Sequence, residues 1–291
     1  MKAALANGMN FWNGGEFYGP PERNSLVVLE KYLEKYPEDA DKVVISVKGA
    51  MGAKGPDGSA EGINRSISNI IKQLNGRKKL DVFECARRDP KVPMEETFAA
   101  MQEWIDKGLL GSISLSEVSA STIHAAVKIT KVSFVEVELS LWCTDILTNG
   151  VAAACAQYNI PVVAYSPLGS GILTGAFKSV EDLAGTHFKD WPRFSPENFE
   201  INLQLVKQVE TLAQKKGCTP AQLAISWTRN LSKRPGMPTI IPIPGATTVA
   251  RVNENAIYVD LSEEEMSEID ATLAKFEVKG DRYPASIPMN T

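Results

Sequence analysis

The chain is poor in the residues on which metal and nucleophilic chemistry depend. Its 291 residues include only two histidines, His124 and His187, and neither stands in a metal-ligand or triad spacing. His124 falls in an expected helix and reads as structural; His187 reads as a solvated loop residue. The four cysteines, Cys85, Cys143, Cys155 and Cys218, form no CxxC pair and no dense framework, so they read as reduced thiols of a cytoplasmic protein. No apolar run reaches the ~18 residues that cross a bilayer. The first residues lack the charged, apolar and small-residue stretches of a signal sequence. Asn64-Arg65-Ser66 and Asn230-Leu231-Ser232 are then chance matches to a glycosylation acceptor. A formal net charge of −4 without a Lys/Arg cluster gives no basic face for a nucleic-acid backbone. A GxGxxG turn between strand and helix is also missing, since Gly169-Ser170-Gly171 has the wrong spacing.

What is present is a rhythm. Short β-rich runs near 9–12, 42–47, 80–85, 111–116, 133–138, 161–165 and 239–243 alternate with amphipathic stretches. Those stretches, near 22–36, 61–74, 94–107, 119–130, 148–158, 199–216 and 220–231, fit helices. Alternation of this kind predicts βαβ units and a parallel sheet. A parallel barrel wants eight strands, and seven are counted. The opening Met1–Gly8 reads as a helix end closing on a glycine, so the chain is expected to begin inside a βα unit. A version extended upstream by one strand is expected to be more stable. Neither a linker nor an internal repeat divides residues 1–291, which read as one domain with a C-terminal tail at 277–291. Ser166 to Asn198 lacks periodicity and follows an expected strand, the place for a lid or binding loop.

Chemistry concentrates where strands hand over to loops. Tyr18 ends Asn13-Gly14-Gly15-Glu16-Phe17-Tyr18-Gly19, and Lys48 ends Val43-Val44-Ile45-Ser46-Val47. An ammonium beside a phenol favours phenolate and lowers its pKa toward working pH, as a general acid for a carbonyl oxygen requires. After the last expected strand, Pro242-Ile243-Pro244-Gly245-Ala246-Thr247-Thr248 leads to Arg251, Glu254 and Asn255 in helical spacing. A helix N-terminus with Thr and Arg donors suits a phosphate.

With Cys85-Ala86-Arg87-Arg88-Asp89-Pro90 and Leu115-Ser116-Glu117, these motifs resemble the aldo-keto reductases, in wording similar to the fungal pyridoxal reductase branch. The resemblance runs from the first residue to about Phe276. It implies an α/β fold, a (β/α)8 TIM barrel lacking its first strand and most of its first helix, that binds NADPH without a Rossmann domain. It further implies Tyr18 as acid, Lys48 as the lysine that tunes it, and Tyr165 as the aromatic under the nicotinamide. Ser116, Glu117 and Glu136 fall where the family holds the carboxamide. Ser166, Leu168, Ser170 and Gly171 fall along the pyrophosphate; Pro244, Gly245, Thr247, Arg251, Glu254 and Asn255 fall at the adenosine phosphate. Trp12, Ala86 and Arg87 would line the substrate pocket.

Two departures bear on mechanism. Asn13 stands where the family commonly has the Asp that pairs with the lysine, so Lys48 is expected to lack a counter-charge unless Glu16 supplies one. Ala86 replaces the active-site histidine, removing a donor and adding room. The expected activity is NADPH-dependent reduction of a small aldehyde or ketone, foremost pyridoxal to pyridoxine, by a monomer or weak homo-oligomer without metal, nucleic acid or membrane. Reduction of another carbonyl compound, and a cofactor-binding regulatory barrel without turnover, stay open.

Overall fold

A computed structural model describes residues 1–186, 188–289 and 291; His187 lies outside the described residues, as does Asn290. Seven strands form one sheet in chain order: β1 (Phe11–Gly15), β2 (Val44–Gly49), β3 (Leu80–Cys85), β4 (Leu110–Ser116), β5 (Val132–Glu138), β6 (Val162–Tyr165) and β7 (Ile240–Pro242). The ladders from β1 through β5 are parallel. Helices α1 (Lys2–Ala6), α2 (Ser25–Lys35), α3 (Ala60–Leu74), α4 (Met94–Asp106), α5 (Ala120–Ala126), α6 (Val151–Gln157), α7 (Pro196–Lys216) and α8 (Pro220–Asn230) precede or separate the strands. Two more follow β7: α9 (Val249–Ala256) and α10 (Glu263–Leu273). Seven strands and the alternating helices thus stand where the sequence rhythm puts them.

Differences lie at helix ends. Helix α5 stops at Ala126 rather than continuing to 130, because its last turn is followed by the β-branched Val127, Ile129 and Thr130. Helix α7 starts earlier than expected, at Pro196, a residue suited to the first helical position. Helix α10 was not expected at all. Its signal was readable: Ser262 and Glu265 form a reciprocal capping box.

The chain divides into two compact units, one of residues 1–137, 154–162 and 289–291, the other of residues 138–153 and 163–288. In the first, Ile63, Ile67, Ile70 and Leu74 recur at helical spacing along α3 and are all fully buried. Strand β2 is buried on both faces, Ile45 and Val47 on one and Ser46 and Lys48 on the other. In the second, Phe199 of α7 and Trp227 of α8 are fully buried. The aperiodic segment after β6 is built from 3₁₀ turns at Gly169–Thr174, Val180–Leu183 and Pro192–Phe194. Residues expected as a tail are anchored there. The buried Asn202 donates to Arg193 O (3.0 Å) and Lys279 O (2.9 Å) and accepts from Lys279 N–H (2.8 Å). The Arg282 guanidinium pairs with Glu138 at 3.1 Å, both nearly sealed from solvent.

Candidate active site

In the first unit, strand register brings Tyr18 to Lys48. Gly15 at the end of β1 is the direct partner of Lys48. The turn that follows folds back, with Tyr18 N–H donating to Gly15 O (3.1 Å) and Ser25 N–H to Tyr18 O (2.9 Å). The ring settles on Gly15, where a Cβ would stand 2.9 Å from Cδ1 of Tyr18. Only a residue without a side chain lets the phenol lie over the strand end.

Lys48 is 3% exposed and surrounded by acceptors. Glu84 is its register partner on β3, with Nζ to Oε1 at 3.4 Å. Glu136 of β5 makes a close ion pair through its Oε1. Asn13 bridges the two, its Nδ2 donating to Glu136 Oε2 (2.6 Å) while its Oδ1 accepts from Lys48 (3.5 Å). Ser46 and Ser114 donate to Glu84 at 3.4 and 3.1 Å. Glu84 was absent from the sequence-derived site. Its signal was a charged residue inside Val82-Phe83-Glu84-Cys85, a run that otherwise reads as a strand buried on both faces.

The electrostatics correct several expectations. Burial alone would lower the Lys48 pKa, but the charges of Glu84 and Glu136 outweigh it and hold the lysine raised and protonated. Lys48 therefore has two carboxyl partners, and neither is Glu16, which accepts from Ser66 (2.7 Å) and Asn69 (3.1 Å). The Tyr18 phenol is accordingly pushed up, not down: desolvation raises it, Lys48 opposes, Glu136 and Glu84 add to the rise, and Arg87 lowers it. Solvent reaches part of the ring, 42% exposed, and moderates the effect. Glu136 rises to about 8, first through burial and next through the Glu84 charge, against the lowering by Lys48. Burial and a neighbouring carboxylate both favour the protonated form of Glu136. With both oxygens engaged, Glu136 has its polar edge turned to Lys48 and Asn13 in place of the open carboxamide contact expected of it.

Other expected residues sort by strand face. Trp12 alternates with Asn13 and so points away from Lys48; its ring meets Tyr32 edge-on at 5.3 Å and its Nε1 donates to Met9 O (2.9 Å). That removes Trp12 from the face that carries Lys48. Ala86 is buried directly after β3, and Arg87 is close enough to act on the Tyr18 phenol. Ser116 Oγ, at the end of β4, is buried without a hydrogen-bond partner and lines a cavity of about 40 Å³. Glu117 follows it with φ 52°, a left-handed conformation uncommon outside glycine. His124 bonds Tyr158 OH through Nδ1 at 2.9 Å, a structural pairing.

In the second unit, Tyr165 ends β6 with its hydroxyl paired to that of Tyr283 at 3.0 Å. Ser166 (φ 49°) and Ser170 (φ 58°) are left-handed, backbone strain of the kind found at ligand sites, and Gly171 (φ 95°) takes its positive φ at no steric cost. The N–H groups of Gly169 and Gly171 are already bonded to Ser166 O (2.8 Å) and Leu168 O (3.0 Å). Gly171, expected along the pyrophosphate, thus has its N–H already engaged. Thr248 caps α9 by accepting from Arg251 N–H (3.2 Å), and Arg251 Nη1 donates to Thr247 Oγ1 (3.4 Å). Pro244 and Glu254 are half-buried, Asn255 is buried, and Gly245, Thr247 and Arg251 are exposed. Among the described residues no cluster of His, Cys, Asp and Glu is placed to hold a metal ion, and no helix is long and apolar enough to cross a membrane.

Comparison with known proteins agrees with this architecture. Over 97% of its length the chain is 42% identical to "Probable pyridoxal reductase 2" of Schizosaccharomyces pombe, covering 87% of that protein. A provisionally named pyridoxal reductase of Saccharomyces cerevisiae is 38% identical, with 94% of this chain and 84% of that one aligned. The fold of a thermostable aldo-keto reductase solved with the inhibitor epalrestat matches with a TM-score of 0.69 at 21% identity, covering 93% of this chain and 85% of that one. The family model described as "Aldo/keto reductase family" matches residues 1–274. A parallel α/β sheet with a tyrosine folded over a strand end beside a buried lysine is thus carried by a chain that belongs to the aldo/keto reductase family of oxidoreductases.

Proposed function

We propose that the protein is an NADPH-dependent carbonyl reductase, with pyridoxal as its substrate and pyridoxine as the product. The observation that carries the reading is the Tyr18 ring lying on Gly15 beside the buried, charged Lys48. NADPH, when bound, would supply the hydride. Tyr18 would then give its proton to the carbonyl oxygen, and a phenol held protonated at neutral pH is in the form that reduction needs. Lys48 would steady the phenolate left behind.

The residues present fit the cofactor. Ser116 Oγ lacks a partner in its buried position, and a carboxamide would provide one. Exposed Arg251 at the capped start of α9 suits a 2′-phosphate, because its planar fork binds phosphate oxygens in pairs. Ala86 leaves room where a histidine would stand, and Arg87 supplies a cation to a substrate bearing acceptors of its own. The names of the yeast relatives favour pyridoxal among carbonyl compounds.

The test is NADPH consumption with pyridoxal, followed by absorbance for the wild type and Tyr18→Phe. Wild-type turnover that falls by about 100-fold or more in the variant supports the reading, since a positioned acid contributes about that much. Turnover unaffected by Tyr18→Phe overturns the mechanism. NADPH binding without turnover by the wild type favours the regulatory alternative.

A further inference from the structure

Lys48 is held by a pair of carboxyl groups in place of a single one, and the pair has no access to solvent. Glu84 and Glu136 are 0% and 1% exposed, and Asn13 fills the space between Glu136 and Lys48 with an amide. We propose that Glu84 and Glu136 are positioning residues for the Tyr18 proton transfer: together they share one proton, balance Lys48, and replace the carboxylate missing at Asn13. The proposal rests on the reductase reading for its kinetic consequence alone.

The argument is one of charge in a dry space. One ammonium facing two ionised carboxylates would leave a net negative charge without water, which is costly to bury. A proton on the pair makes the cluster neutral, and Lys48 then presents its charge to Tyr18 without an excess of opposing charge. The titratable groups that act on this cluster are Lys48, Glu84, Glu136, Tyr18 and Arg87. Asn13 is matched to the arrangement. Its Nδ2 donates to Glu136 Oε2 at 2.6 Å, a contact an aspartate would turn into two facing carboxylates. Asn13 is therefore no simple loss of the family's acid; an acid at that position and Glu136 exclude one another.

The experiment compares wild type, Glu136→Gln, Asn13→Asp and the double variant Asn13→Asp/Glu136→Gln. Infrared spectra read the protonated-carboxyl carbonyl band without requiring turnover. The band is expected in the wild type at pH 7, to fade as pH rises, and to be absent at pH 7 from Glu136→Gln. In pyridoxal reduction each single variant is expected to lose about tenfold in kcat with little change in KM, Glu136→Gln because Lys48 loses its nearest ionic partner and Asn13→Asp because a third carboxyl group then faces the cluster. The double variant, which again pairs Glu84 with one further carboxyl group, now at position 13, is expected within about threefold of wild type, the non-additivity of residues acting as a unit. A wild type without the band, or a double variant worse than either single one, overturns the proposal. A wild type with the band but no turnover would refute the reductase reading and leave the shared proton standing.

Discussion

Replacing Lys48 by methionine keeps the length of the side chain and removes its charge, leaving Glu84 and Glu136 buried with no cation. The folded variant escapes two unpaired charges by taking up a second proton. Protonating one more glutamate at pH 7, when its unfolded pKa is about 4.3, spans about 2.7 pH units, and each is worth about 1.4 kcal/mol. The variant should lose about 4 kcal/mol at pH 7, inside the range of about 3–5 kcal/mol for breaking a buried ion pair. The sign of the pH dependence follows from proton counts. With its glutamate pKa values raised on folding, the folded variant binds more protons than the unfolded chain above about pH 4.3, so stability relative to wild type falls as pH rises. At pH 5 the same deficit shrinks to about 1 kcal/mol. At about 2–4 °C per kcal/mol, the variant's Tm lies about 8–16 °C below wild type at pH 7 and about 2–4 °C below at pH 5. Thermal denaturation of both proteins followed by circular dichroism at the two pH values measures this. A deficit equal at both, or larger at pH 5, would refute the reasoning.

Two further outcomes are expected. Gly15→Ala puts a methyl group 2.9 Å from the Tyr18 ring, and a ring displaced by about 1 Å should cost about 100-fold in kcat while the melting temperature changes little; unchanged kcat would show that the ring does not act from this position. Arg251→Ala removes the exposed guanidinium at the start of α9 and should raise KM for NADPH by about tenfold or more, leaving KM for NADH nearly unchanged, as loss of a charge-assisted hydrogen bond does; parallel rises for both cofactors would place the 2′-phosphate elsewhere.

The alternation of apolar strands with amphipathic helices was legible because periodicity records which face each element buries. Tyr18, Lys48 and the α9 motif stood out because each follows such a strand. Glu84 and the direction of Trp12 did not. Their meaning depends on the phase of each strand, a one-residue matter that turns a side chain from one face to the other. Glu84 becomes a partner of Lys48 only through the register of β2 against β3. Helix α10 was missed for another reason: its Ser262/Glu265 capping box was written in the chain but lay beyond the strands that drew attention.

By itself the sequence determined the order of strands and helices, the tyrosine–lysine pair and the resemblance to the aldo-keto reductases, since these depend on residue types and short spacings along the chain. Tertiary structure decided the electrostatics. Asn13, Lys48, Glu84 and Glu136 come from four strands, and their mutual distances exist only once the sheet has formed. Whether a phenol's pKa falls or rises depends on the sum of burial and every nearby charge. The lysine was visible in the chain, while the two carboxylates that offset it acquired their effect only when folding carried them out of water.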